Sequence, residues 1–383
     1  MTEKLFEVDS YCKKFDAKVL SCVECDGGFY VTLDRTAFFP EGGGQASDRG
    51  FLGGAAVSDV QISDGDILHK TDKPLNVGST VCGEIDWELR FSRMQSHTAE
   101  HIVSGIVHRE FGYSNVGFHM SERTMTVDFS GKLCDCDIAR VERLANEAVY
   151  KNAAVNVFFP TKEEASALDY RSKLDIAEGL RIVEIEGIDV CACCAPHLKR
   201  SGEAGAIKII DFCPFKSGTR IEMTAGIFAY EDHALLHSSN KRIMGLLSAS
   251  REAVDDAVSK LCDTVAALKS ENASLSRRLA LYELDKTELG GAMIGYAKSA
   301  SYDDLRYCAN SISEGFAAPI ILLSECDEGA IYVVACRESG ARAISAALNS
   351  AFSGKGGGKD NYAQGKISVF NKSDIEALIK GLI

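Results

Sequence analysis

The stretch Arg90-Phe91-Ser92-Arg93-Met94-Gln95-Ser96-His97-Thr98-Ala99-Glu100-His101-Ile102-Val103-Ser104-Gly105-Ile106-Val107 divides this chain. Met94, Ile102, Ile106 and Val107 give it an apolar face with helical spacing, so a helix is expected from about residue 90. Before it, from about residue 5 to 85, short β-rich runs at 17–23, 29–34, 56–62 and 80–85 are broken by Gly and Asp, as in a small barrel or sandwich. The turn Pro40-Glu41-Gly42-Gly43-Gly44-Gln45 sits among them. After the helix, β-like segments are expected at 120–129, a helix at 138–152, and strands at 181–190 and 206–210. Within the dividing helix, His97 and His101 stand four residues apart, on one face and close enough to share a metal ion. Two histidines at that spacing also arise by chance.

Beyond Gly226, Leu247, Val254, Leu261, Leu268 and Leu275 recur every seven residues, and Val258, Val265, Asn272 and Leu279 fill the complementary positions. A long helix with a coiled-coil seam is expected, and a buried Asn at such a position fixes register and strand number. A dimer and an intramolecular helical hairpin satisfy the pattern equally. From about residue 285 helix and strand alternate, which implies a small α/β domain. Before its last strand comes Gly354-Lys355-Gly356-Gly357-Gly358-Lys359, read locally as a flexible loop whose lysines either solubilise it or meet phosphates.

A chain of 383 residues exceeds one comfortable core, so several domains are expected. The N-terminus carries no basic region followed by an apolar run, and no window approaches a membrane span, so a cytoplasmic protein is expected. Fourteen cysteines without a signal peptide read as reduced thiols, most of them small buried residues, with Cys191, Cys193 and Cys194 standing apart as a cluster. A net charge of −13 argues against indiscriminate nucleic-acid binding, so an RNA partner requires a local basic surface.

Cys193-Cys194-Ala195-Pro196-His197 offers a thiolate and an imidazole, again four apart. With His97 and His101 this makes a donor set suited to zinc. Four protein donors fill a tetrahedral ion, so a structural and a catalytic zinc both remain open. Glu100 adjoins His101 rather than following the first histidine, as the base of an HExxH protease does, and reads as a solvated helix residue. By residue chemistry alone Thr36 is an ordinary strand residue, Gln45 a turn residue and the three glycines a tight turn.

Taken in order, several motifs resemble the alanyl-tRNA synthetase editing domain and its free-standing relatives, the AlaX proteins. They are residues 36–50, the histidine pair, Val127-Asp128-Phe129-Ser130, Cys193 to His197, Ser201-Gly202-Glu203-Ala204-Gly205 and Arg220-Ile221-Glu222 followed by Ala225-Gly226. The C-terminal glycine run followed by Ala363-Gln364 is similar to the synthetase's DHH-associated domain, so the chain looks like the long form of AlaX. The resemblance implies a multidomain α/β and α+β fold. It comprises a β-barrel domain at 1–88, a zinc-binding editing domain at 89–228, a coiled-coil helix at 229–284 and an α/β DHH-associated domain at 285–383.

It further implies zinc held by His97, His101, Cys193 and His197, Thr36 reading a serine hydroxyl, Gln45 at the reacting ester, and Gly43 and Gly44 against the substrate. Lys355, Lys359 and Lys366 would meet tRNA. The implied activity is hydrolysis in trans of tRNA(Ala) mischarged with serine or glycine, by a homodimer joined through the coiled coil and C-terminal domain. No ATP-phosphate loop is recognisable and no room precedes the barrel for an aminoacylation domain, so charging is not expected. The departure from the family lies in Cys194-Ala195-Pro196, where glycines and a threonine are usual. Cys191 and Cys194 compete for the metal on paper, and the spacing to His197 favours Cys193. A tRNA-binding module with structural zinc and a zinc hydrolase of small esters or amides are the rival readings.

Overall fold

A computed structural model describes residues 2–172 and 180–383. The chain forms two compact units, Met1–Lys241 and Arg242–Ile383.

In the first unit, six strands close into a barrel in the order Lys14–Cys25, Gly28–Leu33, Asp66–Thr71, Ala55–Ser63, Gly50–Leu52 and Thr80–Ile85, which returns to the first. Every pairing in it is antiparallel. Alternation along these strands turns Phe15, Ala17, Val19, Val31, Leu33 and Val60 inward, where Phe38 and Phe39 complete the filling. His69 is also inside, with Nδ1 donating to the Val31 carbonyl at 3.0 Å. Burial lowers its pKa to about 4, the bond to Val31 opposing that shift.

The imidazole is therefore neutral in the fold, and protonation favours the unfolded chain. Its contribution to stability is full above the unfolded value near 6.5 and is lost as pH falls towards 4, a swing of about 3 kcal/mol. Urea unfolding of the first unit, followed by the fluorescence of Trp87, the one tryptophan, is expected to show this loss between pH 7 and pH 4.5. A His69→Gln variant is expected to flatten that slope, and an unchanged slope would refute the assignment.

The helix Trp87–Phe111 follows the barrel directly, capped by the Asp86 carboxylate, which accepts from the Leu89 amide at 3.1 Å. Residues Met94 to Val107 of this helix are almost entirely buried. They share a core with an antiparallel four-stranded sheet (Ile207–Phe215, Gly218–Ala225, Met125–Phe129, Asn115–Met120), the helix Asp135–Lys151 and a three-stranded sheet. The single strand expected at 181–190 is instead a hairpin, Ile182–Ile185 and Asp189–Ala192, in the sheet begun by Val155–Phe158. Gly187, at φ +69°, supplies the left-handed turn that breaks it. The barrel and the α+β part, expected as separate domains, thus share one compact unit.

The long helix expected beyond Gly226 is two helices, Gly226–Leu247 and Val254–Glu283, separated where Ser248 turns left-handed at φ +50° and Arg251–Ala253 forms a single 3-10 turn. Leu247 and Val254 therefore do not continue one seam. On the second helix Val258, Leu261, Val265, Leu268, Leu275 and Leu279 are all exposed, at 41 to 58%.

The second unit's sheet has six strands in the order Asp285–Leu289, Ala292–Ala297, Ile320–Cys326, Gly329–Ala335, Tyr362–Ile367 and Lys355–Gly358. One pair is parallel, joined across the helix Tyr302–Ser313. Helices cover both faces, with Leu305, Cys308 and Ile312 in one core and Ile344, Leu348, Ile375 and Ile379 in the other. The glycine run expected as a flexible loop is an edge strand. A Cβ on Gly356 would lie 2.5 Å from Gly365 Cα and 2.7 Å from the Tyr332 hydroxyl, so only glycine admits this pairing. Lys355 stands opposite Lys366 in register, Lys366 pairs with Glu328 at 3.0 Å, and Lys359 sits in the turn between the two strands.

The cysteines are free thiols, but only Cys308 and Cys336 are buried, contrary to the expectation that most would fill cores. Among the described residues no helix is long and apolar enough to cross a membrane.

Candidate functional site

His97 and His101 face inward from the middle of the helix Trp87–Phe111, and the segment after the strand Asp189–Ala192 brings Cys193 and His197 to meet them. One donor atom from each lies within 4.8 Å of all the others. The Cys193 Sγ is 3.5 Å from His97 Nε2 and 3.3 Å from His197 Nε2. Donors of one tetrahedral zinc ion sit roughly 3.5 Å apart, so the set fits such an ion. All three rings are nearly inaccessible to solvent.

What fixes the rings is a second layer of partners. His97 Nδ1 donates to Gln45 Oε1 at 2.9 Å, His101 Nδ1 donates to Asp189 Oδ2 at 3.0 Å, and His197 Nδ1 lies 3.2 Å from Thr98 Oγ1. Protons on Nδ1 leave the Nε2 lone pairs turned towards the thiol, an arrangement that a cation satisfies. Burial raises the pKa of the Cys193 thiol. Positive charge on the surrounding imidazoles outweighs it and holds the thiol well below its ordinary range; with the rings neutral and protonated on Nδ1, a bound cation would supply that charge and keep the thiolate.

Asp189 is itself clamped by Arg171, whose Nε and Nη2 donate to its two oxygens at 2.6 and 2.7 Å. Burial would raise the Asp189 pKa, but the bonds from His101 and Arg171 bring it down to about 2. Asp189→Asn is expected to weaken metal binding by about 10- to 100-fold, because His101 loses the anion that sets its tautomer. Competition with a chelator measures this, and unchanged affinity would show that Asp189 does not orient the ring.

The glycine turn places Gln45 in this layer. The Gly42 and Gln45 amides and carbonyls are exchanged at 3.0 Å each, with Gly43 and Gly44 left-handed at φ +61° and +84°. A Cβ on Gly44 would lie 2.7 Å from the Phe118 ring. Gly43 borders the cavity described below, whereas Gln45 is fully buried and bonded to His97. The structure thus brings Gln45 to His97 of the candidate metal cluster.

Thr36 is elsewhere. It ends the short strand Arg35–Thr36, which pairs with Glu3–Lys4 outside the barrel's own ring of strands, and is buried, its hydroxyl 2.8 Å from His69 Nε2 and accepting from the Phe38 amide at 3.1 Å. Because His69 donates through Nδ1, the Thr36 hydroxyl donates to Nε2, which commits its one proton. Thr36 does not line the cavity.

Glu100 departs from its expected solvated position. It is 3% exposed, its Oε1 accepts from Ser104 Oγ at 2.6 Å and from Asn115 Nδ2, and its Oε2 lies 3.9 Å from His101 Nε2. Asn115, Arg171, Asp189 and Arg181 went unread in the sequence. For Asp189 the signal was there, an acid two residues before Cys191 in a strand already picked out.

His97, His101 and Cys193 of this cluster form part of the wall of a cavity of about 900 Å³, also bordered by Phe118, Phe159, Arg171 and Cys191. Cys191 approaches His101 and Asp189 as a secondary group of three donors, all within 4.8 Å of one another. Cys194 is exposed beside Gly43. Lys355, Lys359 and Lys366 belong to the second unit.

Residues 180–224 match the threonyl and alanyl tRNA synthetase second additional domain, residues 8–89 match tRNA synthetases class II (A), and residues 290–383 match the DHHA1 domain. The class II match coincides with the barrel. Over 55% of its length the chain is 38% identical to alanyl-tRNA editing protein AlaX-M of Methanosarcina mazei, covering 90% of that protein. It is 27% identical to alanyl-tRNA editing protein Aarsd1 of Danio rerio across 97% of this chain and 96% of that one. It is also 32% identical to an alanine–tRNA ligase of Ignicoccus hospitalis, of which it spans only 32%.

Proposed function

Because the chain belongs to the alanyl-tRNA editing protein family, we infer that it is an aminoacyl-tRNA deacylase that hydrolyses mischarged tRNA(Ala) in trans, Ser-tRNA(Ala) first and Gly-tRNA(Ala) second, in the cytoplasm and without charging tRNA. The observation that carries this reading is the cluster of His97, His101, Cys193 and His197, the first three of which border a cavity large enough for an aminoacyl ester.

The ion assigned to these donors is zinc, for which one thiolate and three imidazoles are a suitable set. Zinc bound there supplies Lewis acidity for the ester carbonyl. The chain's own residues do the rest: Gln45 and Asp189 hold His97 and His101 in register, and the buried wall keeps bulk water from competing with a positioned one. Gly43 lets the substrate approach the backbone closely. Thr36, buried and bonded to His69 away from the cavity lining, is not assigned the direct reading of serine that the resemblance implies.

For tRNA outside the cavity, Lys355, Lys359 and Lys366 on the glycine edge strand and its neighbour are the assigned phosphate contacts. The exposed apolar seam of the helix Val254–Glu283 is the surface assigned to a second copy, which light scattering of the full chain tests.

Incubation with Ser-tRNA(Ala), Gly-tRNA(Ala) and Ala-tRNA(Ala) tests the activity. Loss of the seryl and glycyl esters with the alanyl ester spared is expected, and no alanylation should follow added ATP and alanine. Four donors saturate a tetrahedral ion, which favours a second reading, a tRNA-binding module with structural zinc. Persistence of all three esters with zinc bound would establish that reading instead.

A further inference from the structure

Three groups of metal donors occur among the described residues, and two of them share His101 and belong to the site above. The third, Cys134, Cys136 and Asp137, has no residue in common with it and lies in the turn that opens the helix Asp135–Lys151. One donor atom from each lies within 4.8 Å of the others. Both cysteines are exposed, although a free cysteine ordinarily ranks among the most buried residue types. Cys134 also holds the N-cap position, where Ser, Thr, Asp and Asn are the stabilising choices and a thiol is not. Neither core packing nor capping accounts for the two thiols.

The backbone beneath them is fixed without any ligand. Leu133 and Ile138, on either side of the group, are buried in the core of the first unit. The Leu133 amide donates to Thr219 Oγ1 at 2.9 Å, and that hydroxyl donates to the Gly131 carbonyl at 3.1 Å, which pins the turn to the strand Gly218–Ala225. Asp137 Oδ2 accepts from the Cys134 amide at 3.0 Å, so the carboxylate is turned back towards Cys134 rather than extended into solvent. Hydrogen bonding to Asp137 and then to Cys136 raises the pKa of the Cys134 thiol, so these donors share a proton that a cation would replace.

We propose that Cys134, Cys136 and Asp137 bind a second divalent cation of the zinc class, with two thiolates and a carboxylate as its protein donors. Soft thiolates select such an ion over magnesium or calcium. Each thiol releases its proton to water as the cation binds, and the resulting group carries one net negative charge, which a helix N-terminus favours. Three protein donors leave a tetrahedral ion one open position. With one donor fewer and in contact with solvent, this site fills after the enclosed four-donor cluster. It stands independently of the deacylase reading.

Alkylation by iodoacetamide, followed peptide by peptide by mass spectrometry on the full chain carrying one equivalent of zinc, tests the site directly. A further equivalent of zinc is expected to slow alkylation of Cys134 and Cys136 on the order of tenfold, because a metal-bound thiolate is no longer free to attack. The exposed Cys82, Cys213 and Cys262 are controls whose rates should not change. Calorimetry is expected to show a second zinc equivalent, lost when Cys134→Ser and Cys136→Ser are combined. Asp137→Asn is expected to weaken it at least about tenfold, since losing a donor costs no less than losing an outer-shell partner. Serine is a preferred cap, so the double variant keeps the helix start and the first equivalent. A single equivalent in the wild-type chain would overturn the proposal, as would protection shared equally by the control cysteines. A second equivalent that survives the double variant also overturns it, and its disappearance in Cys191→Ser would place that ion beside His101 instead.

Discussion

Replacing Cys193 by alanine is expected to strip the metal and to lower deacylation of Ser-tRNA(Ala) about a thousandfold, the several kcal/mol that a polarising ion contributes to a transition state. Cys193 is the one anionic donor in the set, so its loss leaves three neutral imidazoles to hold a dication. The fold should survive. His97 and His101 keep their bonds to Gln45 and Asp189, and the vacated volume is small. Metal content by atomic absorption, the deacylation rate and a thermal melt of the same sample separate these effects. Cys194→Ala is expected to retain metal and activity, because its thiol is exposed at the cavity rim, outside the cluster. If Cys193→Ala kept both metal and activity, the donors would have to be the other group of three, His101, Asp189 and Cys191.

The four clustered donors were legible in the sequence because they come in two pairs at spacing four, each pair brought to one place by local geometry. That the two pairs meet across 96 residues was not written in either motif and came from the family resemblance. Gln45 was legible as a residue but not as a contact, because its partner His97 lies across the junction of barrel and helix. Thr36 shows the limit of motif reading. It belongs to the same motif as Gly43 and Gln45, yet its own hydroxyl is fixed by His69, a residue with no sequence signature. Glu100 was misread because the helix was taken to have a solvated face, whereas it is enclosed by sheets on several sides and almost all of its central residues are buried. Likewise a heptad count cannot register one left-handed residue, and Ser248 was enough to divide the long helix. The glycine edge strand was hidden for a related reason, since the need for close backbone approach over Tyr332 arises only once the sheet exists.

Asp48→Ala is expected to destabilise the first unit by about 3–5 kcal/mol, the usual consequence of leaving a buried charge without its partner. Asp48 and Arg90 are both fully inaccessible, and Arg90 Nε lies 2.9 Å from each carboxylate oxygen while Nη2 also meets Oδ2. The pair does more than cancel charge. Arg90 extends to the carbonyls of Ala37 at 2.7 Å and Ser10 at 3.1 Å, and Asp48 accepts from the Phe39 amide at 2.6 Å. It therefore ties the helix bearing His97 and His101 to the segment bearing Gln45, and Ser10 reaches in turn to the His197 carbonyl at 2.7 Å. Urea denaturation followed by Trp87 fluorescence measures the loss. Replacing both partners by apolar residues, Asp48→Leu with Arg90→Met, removes the stranded charge and is expected to recover part of it. Recovery should stay incomplete, because three backbone groups lose their partners, and metal affinity should remain reduced even where stability returns. Full recovery of both would show that the pair is only a neutralised charge and that packing alone aligns Gln45 with His97.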